Sequence, residues 1–122
     1  MKRAVIVVGD HYSGKSRTIN KYLKPLLGIR PRVSDFTLDG KRGFILSQSF
    51  EESKRDVVAT IKKYSGYDLL VLAARPRTER KSKFNLIHYT LRKVSFDVRM
   101  VSIQAKNEAP RKAKEIFKIL QS

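Results

Sequence analysis

One short pattern near the start of the chain constrains its fold more than any other feature. A match to G-x-x-x-x-G-K-[ST] directly follows the apolar run Ala4–Val8 and consists of Gly9, Asp10, His11, Tyr12, Ser13, Gly14, Lys15 and Ser16. Glycines at positions 9 and 14 let the backbone wrap around a phosphate with no Cβ in the way, so that consecutive N–H groups point inward. The pattern therefore predicts an anion-binding turn between a buried strand and a helix.

The side chains of this segment have different expected roles. Lys15 can place its ammonium against the β- and γ-phosphates of a nucleotide, and Ser16 can offer its hydroxyl to Mg²⁺. Arg17 comes directly after the match, where it could pair with a phosphate or point to solvent. His11 and Tyr12 occupy variable positions, where a surface role is favoured over nucleotide contact.

Strand signals recur along the rest of the chain. Apolar runs at Arg3–Val8 and Asp68–Ala74, and a third from Phe96 to Ile103, predict buried strands of the kind found in parallel sheets. The pair Asp39-Gly40 lies between two short apolar stretches and predicts a tight hairpin, because these residues tolerate a positive φ.

Helical periodicity predicts four helices among these strands. The first follows the glycine-containing match, the second runs from Ser49 to Gly66, and Asn107 is expected to cap the last. Ser49 and Glu52 have the spacing of a capping box, and the adjacent Glu51-Glu52 pair is interpreted as compensation of the helix dipole. The side chains expected on the buried faces are, in chain order, Ile19, Tyr22, Leu23, Leu26; Val57, Val58, Ile61; Phe84, Ile87, His88, Leu91; and Ala113, Ile116, Phe117, Leu120.

The order of these elements predicts the fold class. Strands that alternate with helices indicate an α/β chain with a three-layer arrangement, a mainly parallel sheet with one early hairpin, and helices on both faces. The chain has 122 residues, and domains commonly have about 150, so residues 1–122 are expected to form a single nucleotide-binding domain.

The composition narrows the classes of partner. Lys and Arg number 27 against 11 Asp and Glu, which gives a formal net charge of +16. That excess favours nucleotides, nucleic acid or acidic surfaces without choosing among them. The absence of cysteine excludes disulfides and thiol catalysis. No apolar run approaches the roughly 20 residues of a membrane span, and the run before Gly9 is too short for a secretory signal, so we expect a cytoplasmic protein.

The match, with its preceding strand and following helix, resembles the P-loop NTPases, and the alternating layout extends the resemblance over essentially the whole chain. It implies that residues 9–17 bind a nucleoside triphosphate and that Ser16 contacts Mg²⁺. The element order looks like a small GTPase core, whose members usually place an Asp for Mg²⁺ after the hairpin strand. Here that stretch reads Ile45-Leu46-Ser47-Gln48-Ser49, and the place of the guanine-reading N-K-x-D is taken by Ala105-Lys106-Asn107-Glu108. We therefore expect ATP to bind at least as well as GTP.

Three function classes follow. The leading hypothesis is an Mg²⁺-dependent ATP-binding protein, either a weak NTPase or a nucleotide-controlled switch. A small kinase is the alternative, because Arg75, Arg77 and Arg80 follow a buried strand at the edge where ligands bind, and lid arginines can neutralise a transferring phosphoryl group. A solvated basic loop explains these arginines equally well. The third class is a nucleic-acid-binding module with weak, non-specific affinity, since the basic residues are dispersed.

Overall fold

The computed structural model describes residues 2–10 and 13–122 and shows a mixed α/β fold. Within those residues one sheet has five strands, β1 (Lys2–Val8), β2 (Asp35–Leu38), β3 (Lys41–Leu46), β4 (Leu69–Ala74) and β5 (Phe96–Ser102). Their spatial order is β2-β3-β4-β1-β5; β2 and β3 pair antiparallel and every other neighbouring pair is parallel. The predicted mainly parallel sheet with one early hairpin is confirmed.

Helical segments connect these strands. Three of them run consecutively after β1: α1 (Lys15–Arg17), a π-helix (Thr18–Leu23) and α2 (Lys24–Leu26). The others are α3 (Phe50–Ser53), α4 (Val57–Lys63), α5 (Phe84–Lys93), a 3₁₀ turn (Lys106–Glu108) and α6 (Ala109–Gln121).

Helices cover both faces of the sheet because its central strands are apolar on both sides. Successive side chains of a strand point to opposite faces. Val5 and Val7 of β1 pack in one core cluster with residues of the first helical segments and α6, whereas Ala4, Ile6 and Val8 pack in a second cluster with α3, α4 and α5. The result is three layers, with the carboxyl ends of the parallel strands along one edge.

The hairpin forms where the sequence predicts it. Asp39 has φ 51° and Gly40 has φ 79°, and a two-residue turn with positive φ at both central residues matches the twist of the strands it joins. Leu38 and Lys41 pair directly on either side of the turn.

The first helix buries a different residue from the one predicted. Leu26 is 40% exposed, and Leu27 is buried in its place beside Leu23. The cause is the π-helical stretch, in which the Lys24 N–H donates to the carbonyl of Ile19, five residues earlier. That wider turn shifts the buried stripe by one residue relative to the 3.6-residue period.

The predicted helix from Ser49 to Gly66 is wrong as a single element. Lys54 takes a left-handed φ of 58° and ends α3. Asp56 then starts α4, and its Oδ2 accepts the Ala59 N–H at 2.7 Å. Aspartate is a preferred residue directly before a helix, so Asp56, which precedes the apolar pair Val57-Val58, is the sequence signal for the start of α4.

Two expectations for the last third of the chain also need correction. The third strand is not buried throughout, because β5 lies at the sheet edge and Met100 is 51% exposed. Asn107 does not cap the final helix; it lies inside the 3₁₀ turn, and Glu108 is the residue before α6.

Candidate functional site

The candidate site lies where β1 ends and the first helical segment begins, and both glycines of the match are needed there. Gly14 has φ 97° directly before Lys15, a left-handed conformation that disfavours any other residue. Gly9 is required for space instead. A Cβ at that position would overlap the Ser13 side chain and lie 2.8 Å from the carbonyl oxygen of Ile103.

Lys15 is the buried cation of the site. Its side chain belongs to a residue only 4% exposed, and its Nζ donates to the carbonyl oxygens of Gly9 at 2.6 Å and Asp10 at 2.8 Å. Burial lowers the pKa of the Lys15 ammonium below its usual value, and the nearby carboxylates of Glu52 and Glu51 partly oppose this. The ammonium is therefore held by two neutral carbonyls at the mouth of the loop.

A cavity of about 390 Å³ opens beside this ammonium. Three parts of the chain form it: the start of the first helical segment, the connection from β3 to α3, and the 3₁₀ turn. Its lining residues are Gly14, Lys15, Ser16, Arg17, Ser47, Gln48, Ser49, Glu52 and Lys106. The cavity thus lies at the edge where the parallel strands end, which is the usual ligand position in such sheets.

The cavity offers oxygen ligands suited to Mg²⁺. Ser16 is exposed, and its Oγ accepts the Asn20 amide at 3.1 Å. Glu52 lines the same cavity with a carboxylate. Mg²⁺ is commonly held by one or two such oxygens together with waters and substrate phosphates. In the described part of the chain, no three His, Asp or Glu residues gather into a site that could hold a metal ion by themselves.

Glu52 is the functional candidate that the sequence interpretation missed. The predicted capping box is confirmed in one direction, since Ser49 Oγ accepts the Glu52 N–H at 3.3 Å. Compensation of the helix dipole is an incomplete account of Glu52, because the cap also places this carboxylate on the Lys15 cavity. It is the second acidic residue after β3, close to the position where the resemblance implies an acid for Mg²⁺.

Glu51 has a different position from its neighbour. Its Oε1 accepts the Arg75 N–H at 3.2 Å, and its Oε2 accepts the Lys83 N–H at 2.7 Å. The Ser82 hydroxyl donates to the Arg75 carbonyl at 2.9 Å and closes the same segment. Glu51 therefore joins the two ends of the basic segment 75–83 to α3.

The three arginines proposed as lid residues do not stay together. Arg75 lies close enough to Lys15 for its positive charge to contribute to the lowered pKa of that lysine. Arg77 instead has its guanidinium carbon 5.1 Å from the centroid of the Phe84 ring, and Arg80 is exposed. None of these three arginines is among the residues that line the Lys15 cavity.

The remaining residues of the match fall into three groups. Gly9 and Asp10 line a separate cavity of about 420 Å³. Ser13 is buried, and its Oγ donates to the Asp10 carbonyl at 2.9 Å. His11 and Tyr12 lie outside the described residues.

Residues 105–108, the segment compared with N-K-x-D, contribute in two ways. Lys106 lines the Lys15 cavity, and the carboxylate of Glu108 caps backbone N–H groups. Glu108 Oε1 accepts the N–H groups of Gln104 at 2.9 Å and Ala105 at 3.0 Å, and these bonds lower the pKa of Glu108 below its usual value. Glu108 Oε2 accepts from Arg111 at 2.9 Å. Both oxygens of this carboxylate are occupied within the chain.

Two further findings bear on classification. Across residues 2–10 and 13–122, none of the helices has the length and apolar character needed to cross a membrane. In comparisons with known proteins, no family model, no curated protein and no solved structure matches this chain.

Proposed function

We propose that this chain is a P-loop protein that binds a nucleoside triphosphate with Mg²⁺ in the Lys15 cavity, with ATP at least as good a ligand as GTP. The observation that carries the proposal is the state of Lys15. Its buried ammonium donates to two neutral loop carbonyls, at a cavity that also presents a hydroxyl and a carboxylate. A polyphosphate at that cavity would add anionic acceptors for the ammonium and so offset its burial further than Glu52 and Glu51 do.

The surrounding groups have the chemistry that such a ligand needs. Lys15 and Lys106 would neutralise phosphate oxygens, and Ser16 with Glu52 would hold Mg²⁺ directly or through water. The metal would supply charge neutralisation at the phosphates. Ordinary helix geometry also leaves the first N–H groups after Gly14 without an intrahelical acceptor, so they can face an anion.

The expected preference between ATP and GTP follows from the hydrogen bonds that Glu108 accepts. Strong selection of guanine needs a carboxylate that accepts from the N–H groups of the ring, and a site built for such bonds discriminates steeply. Both Glu108 oxygens already accept from the backbone and from Arg111. We therefore expect less than a hundredfold preference for GTP in competition.

The activity we propose is a weak NTPase or a nucleotide-controlled switch. Phosphoryl transfer depends on positioning and on neutralising charge on the transferring group. Arg75 is the one of the three candidate arginines whose charge reaches Lys15. A kinase with a lid of three arginines has correspondingly less support, since none of the three lines the cavity.

The test is a titration with fluorescent ATP and GTP analogues, with and without Mg²⁺. The variant is Lys15→Met, which keeps most of the side-chain volume and removes the charge. Its matched control is Lys118→Met, which removes the same charge from an exposed position on α6. Hydrogen bonds to charged groups contribute about 1.5–3 kcal/mol, so Lys15→Met should weaken binding roughly ten- to a hundredfold while Lys118→Met stays near wild type.

Two results would overturn the proposal. The first is no binding of either nucleotide by the wild-type protein in the presence of Mg²⁺. The second is equal affinity of the Lys15→Met and wild-type proteins when circular dichroism shows that both are folded.

A further inference from the structure

A second groove lies along the outer face of α5, away from the Lys15 cavity. It has a volume of about 570 Å³ and is lined by Arg77, Phe84, Asn85, His88, Tyr89, Arg92 and Lys93. None of these residues lines the Lys15 cavity. The groove is formed because the segment after β4 brings Arg77 back over Phe84, the first residue of α5.

All the charged residues that line this groove are cations. Arg77, Arg92 and Lys93 are exposed cations, and the residues that line the groove include no aspartate or glutamate. Asn85, Tyr89 and Arg92 recur at the spacing that places side chains on one helix face. The groove therefore gathers three cations, with no carboxylate among its lining residues, which the dispersed basic residues of the sequence did not reveal.

Tyr89 gives the groove an aromatic surface. This large aromatic residue is 61% exposed, and the Lys93 Nζ lies 5.7 Å from the centroid of its ring. The same tyrosine also borders a smaller cavity of about 370 Å³, whose apolar lining comes from Val58, Leu86 and Val94 and which Lys62, Thr90 and Lys93 line as well. Tyr89 thus lines both the cationic groove and this mainly apolar recess.

We propose that this surface, the α5 groove, binds single-stranded nucleic acid without sequence preference. Proteins of this kind combine cations along the phosphate backbone with exposed aromatic rings on which bases stack. In the α5 groove, Arg77, Arg92 and Lys93 face the phosphates and Tyr89 stacks with a base that reaches the apolar recess. An acidic peptide would match the charge of these cations, but its carboxylate side chains provide no planar ring that could stack on Tyr89 or fill the recess. The inference does not depend on nucleotide binding at Lys15.

The test measures anisotropy of a fluorescein-labelled 12-nucleotide oligothymidylate, its duplex with oligoadenylate, and a labelled 12-residue polyglutamate, across a range of salt concentrations. Tyr89→Ala removes the stacking surface, and Tyr89→Phe retains it. Arg92→Gln with Lys93→Gln removes two charges from the groove. The matched control, Lys114→Gln with Lys118→Gln, removes two charges from exposed positions on α6, across the sheet from α5.

We expect the single strand to bind more tightly than the duplex or polyglutamate. Tyr89→Ala should weaken that binding roughly five- to a hundredfold, and Tyr89→Phe should stay within about twofold of wild type. The groove double variant should reduce the slope of log affinity against log salt by about 1.4, because each single-strand phosphate contact contributes about 0.7. The α6 double variant should leave the slope near that of wild type.

Four results would each overturn the inference. They are absence of oligothymidylate binding, equal losses from the two double variants, an unchanged affinity of Tyr89→Ala, and binding of duplex or polyglutamate as tight as that of the single strand. Circular dichroism of each variant separates these results from a loss of folding.

Discussion

Replacing Glu51 with glutamine tests how the basic segment 75–83 is held. The wild-type carboxylate accepts two backbone N–H groups, one from Arg75 at 3.2 Å and one from Lys83 at 2.7 Å. Glutamine retains one acceptor oxygen and turns an amide donor toward the other N–H. One bond to a charged group is lost, at about 1.5–3 kcal/mol, so the open population of the segment should rise roughly ten- to a hundredfold.

Limited trypsin digestion measures that opening. Arg77, Arg80 and Lys81 are exposed cleavage sites within the segment, and cleavage tracks the open population when opening and closing are fast relative to cutting. Glu115→Gln, on an exposed position of α6, is the matched control and should be cut at the wild-type rate. A rate for Glu51→Gln within threefold of wild type, in a variant that is folded, would refute the assignment of Glu51 as the residue that holds the segment.

Three other expectations concern single residues. Glu52→Gln should remove most of the gain in nucleotide affinity that Mg²⁺ gives, because an amide oxygen carries no charge; titrations with and without Mg²⁺ measure this, and an unchanged gain contradicts it. Gly43→Ala should lower the free energy of unfolding in urea by about 1–3 kcal/mol, since its Cβ would overlap the Phe36 ring, whereas Gly66→Ala, with open space around it, should stay within about 0.5 kcal/mol of wild type. Burial lowers the pKa of Lys24 from 10.5, so the native state loses this proton before the unfolded state does. The free energy of unfolding of wild type relative to Lys24→Met should therefore rise as pH increases toward 10.5, as measured by urea titrations at several pH values; a constant difference would contradict this.

Local chemistry explains the elements that the sequence predicted well. The turn at Asp39-Gly40 needs only two adjacent residues that tolerate positive φ. The strands around Val5 and Val71 are apolar on both faces, and a short run of that kind indicates a buried strand wherever it occurs. These signals lie within a few residues and do not depend on distant contacts.

Other features were set by neighbours that a local pattern does not include. Met100 is apolar and alternates correctly, and its exposure comes from the edge position of β5 in the sheet order. Leu26 fits an ideal helical stripe, and the π-helix before it moves burial to Leu27. Both predictions of burial were wrong, because the order of the strands and the π-helix, which the local pattern does not contain, determine the exposure of these two residues.

The basic segment 75–83 shows the same distinction at the candidate sites. From the place of this segment after β4, the sequence left two interpretations of Arg75, Arg77 and Arg80 open: a lid that faces one ligand at the shared edge of the strands, or a solvated basic loop. Glu51 fixes both ends of the segment, and the chain between them turns so that Arg75 stays near Lys15 while Arg77 crosses the Phe84 ring. Arg75 therefore acts on Lys15 through its charge, Arg77 lines the α5 groove, and Arg80 is exposed and lines neither the Lys15 cavity nor that groove. Because Arg75 and Arg77 have different neighbours, a variant that neutralised the whole segment would change both surfaces at once, and only changes at single residues can separate the two proposed functions.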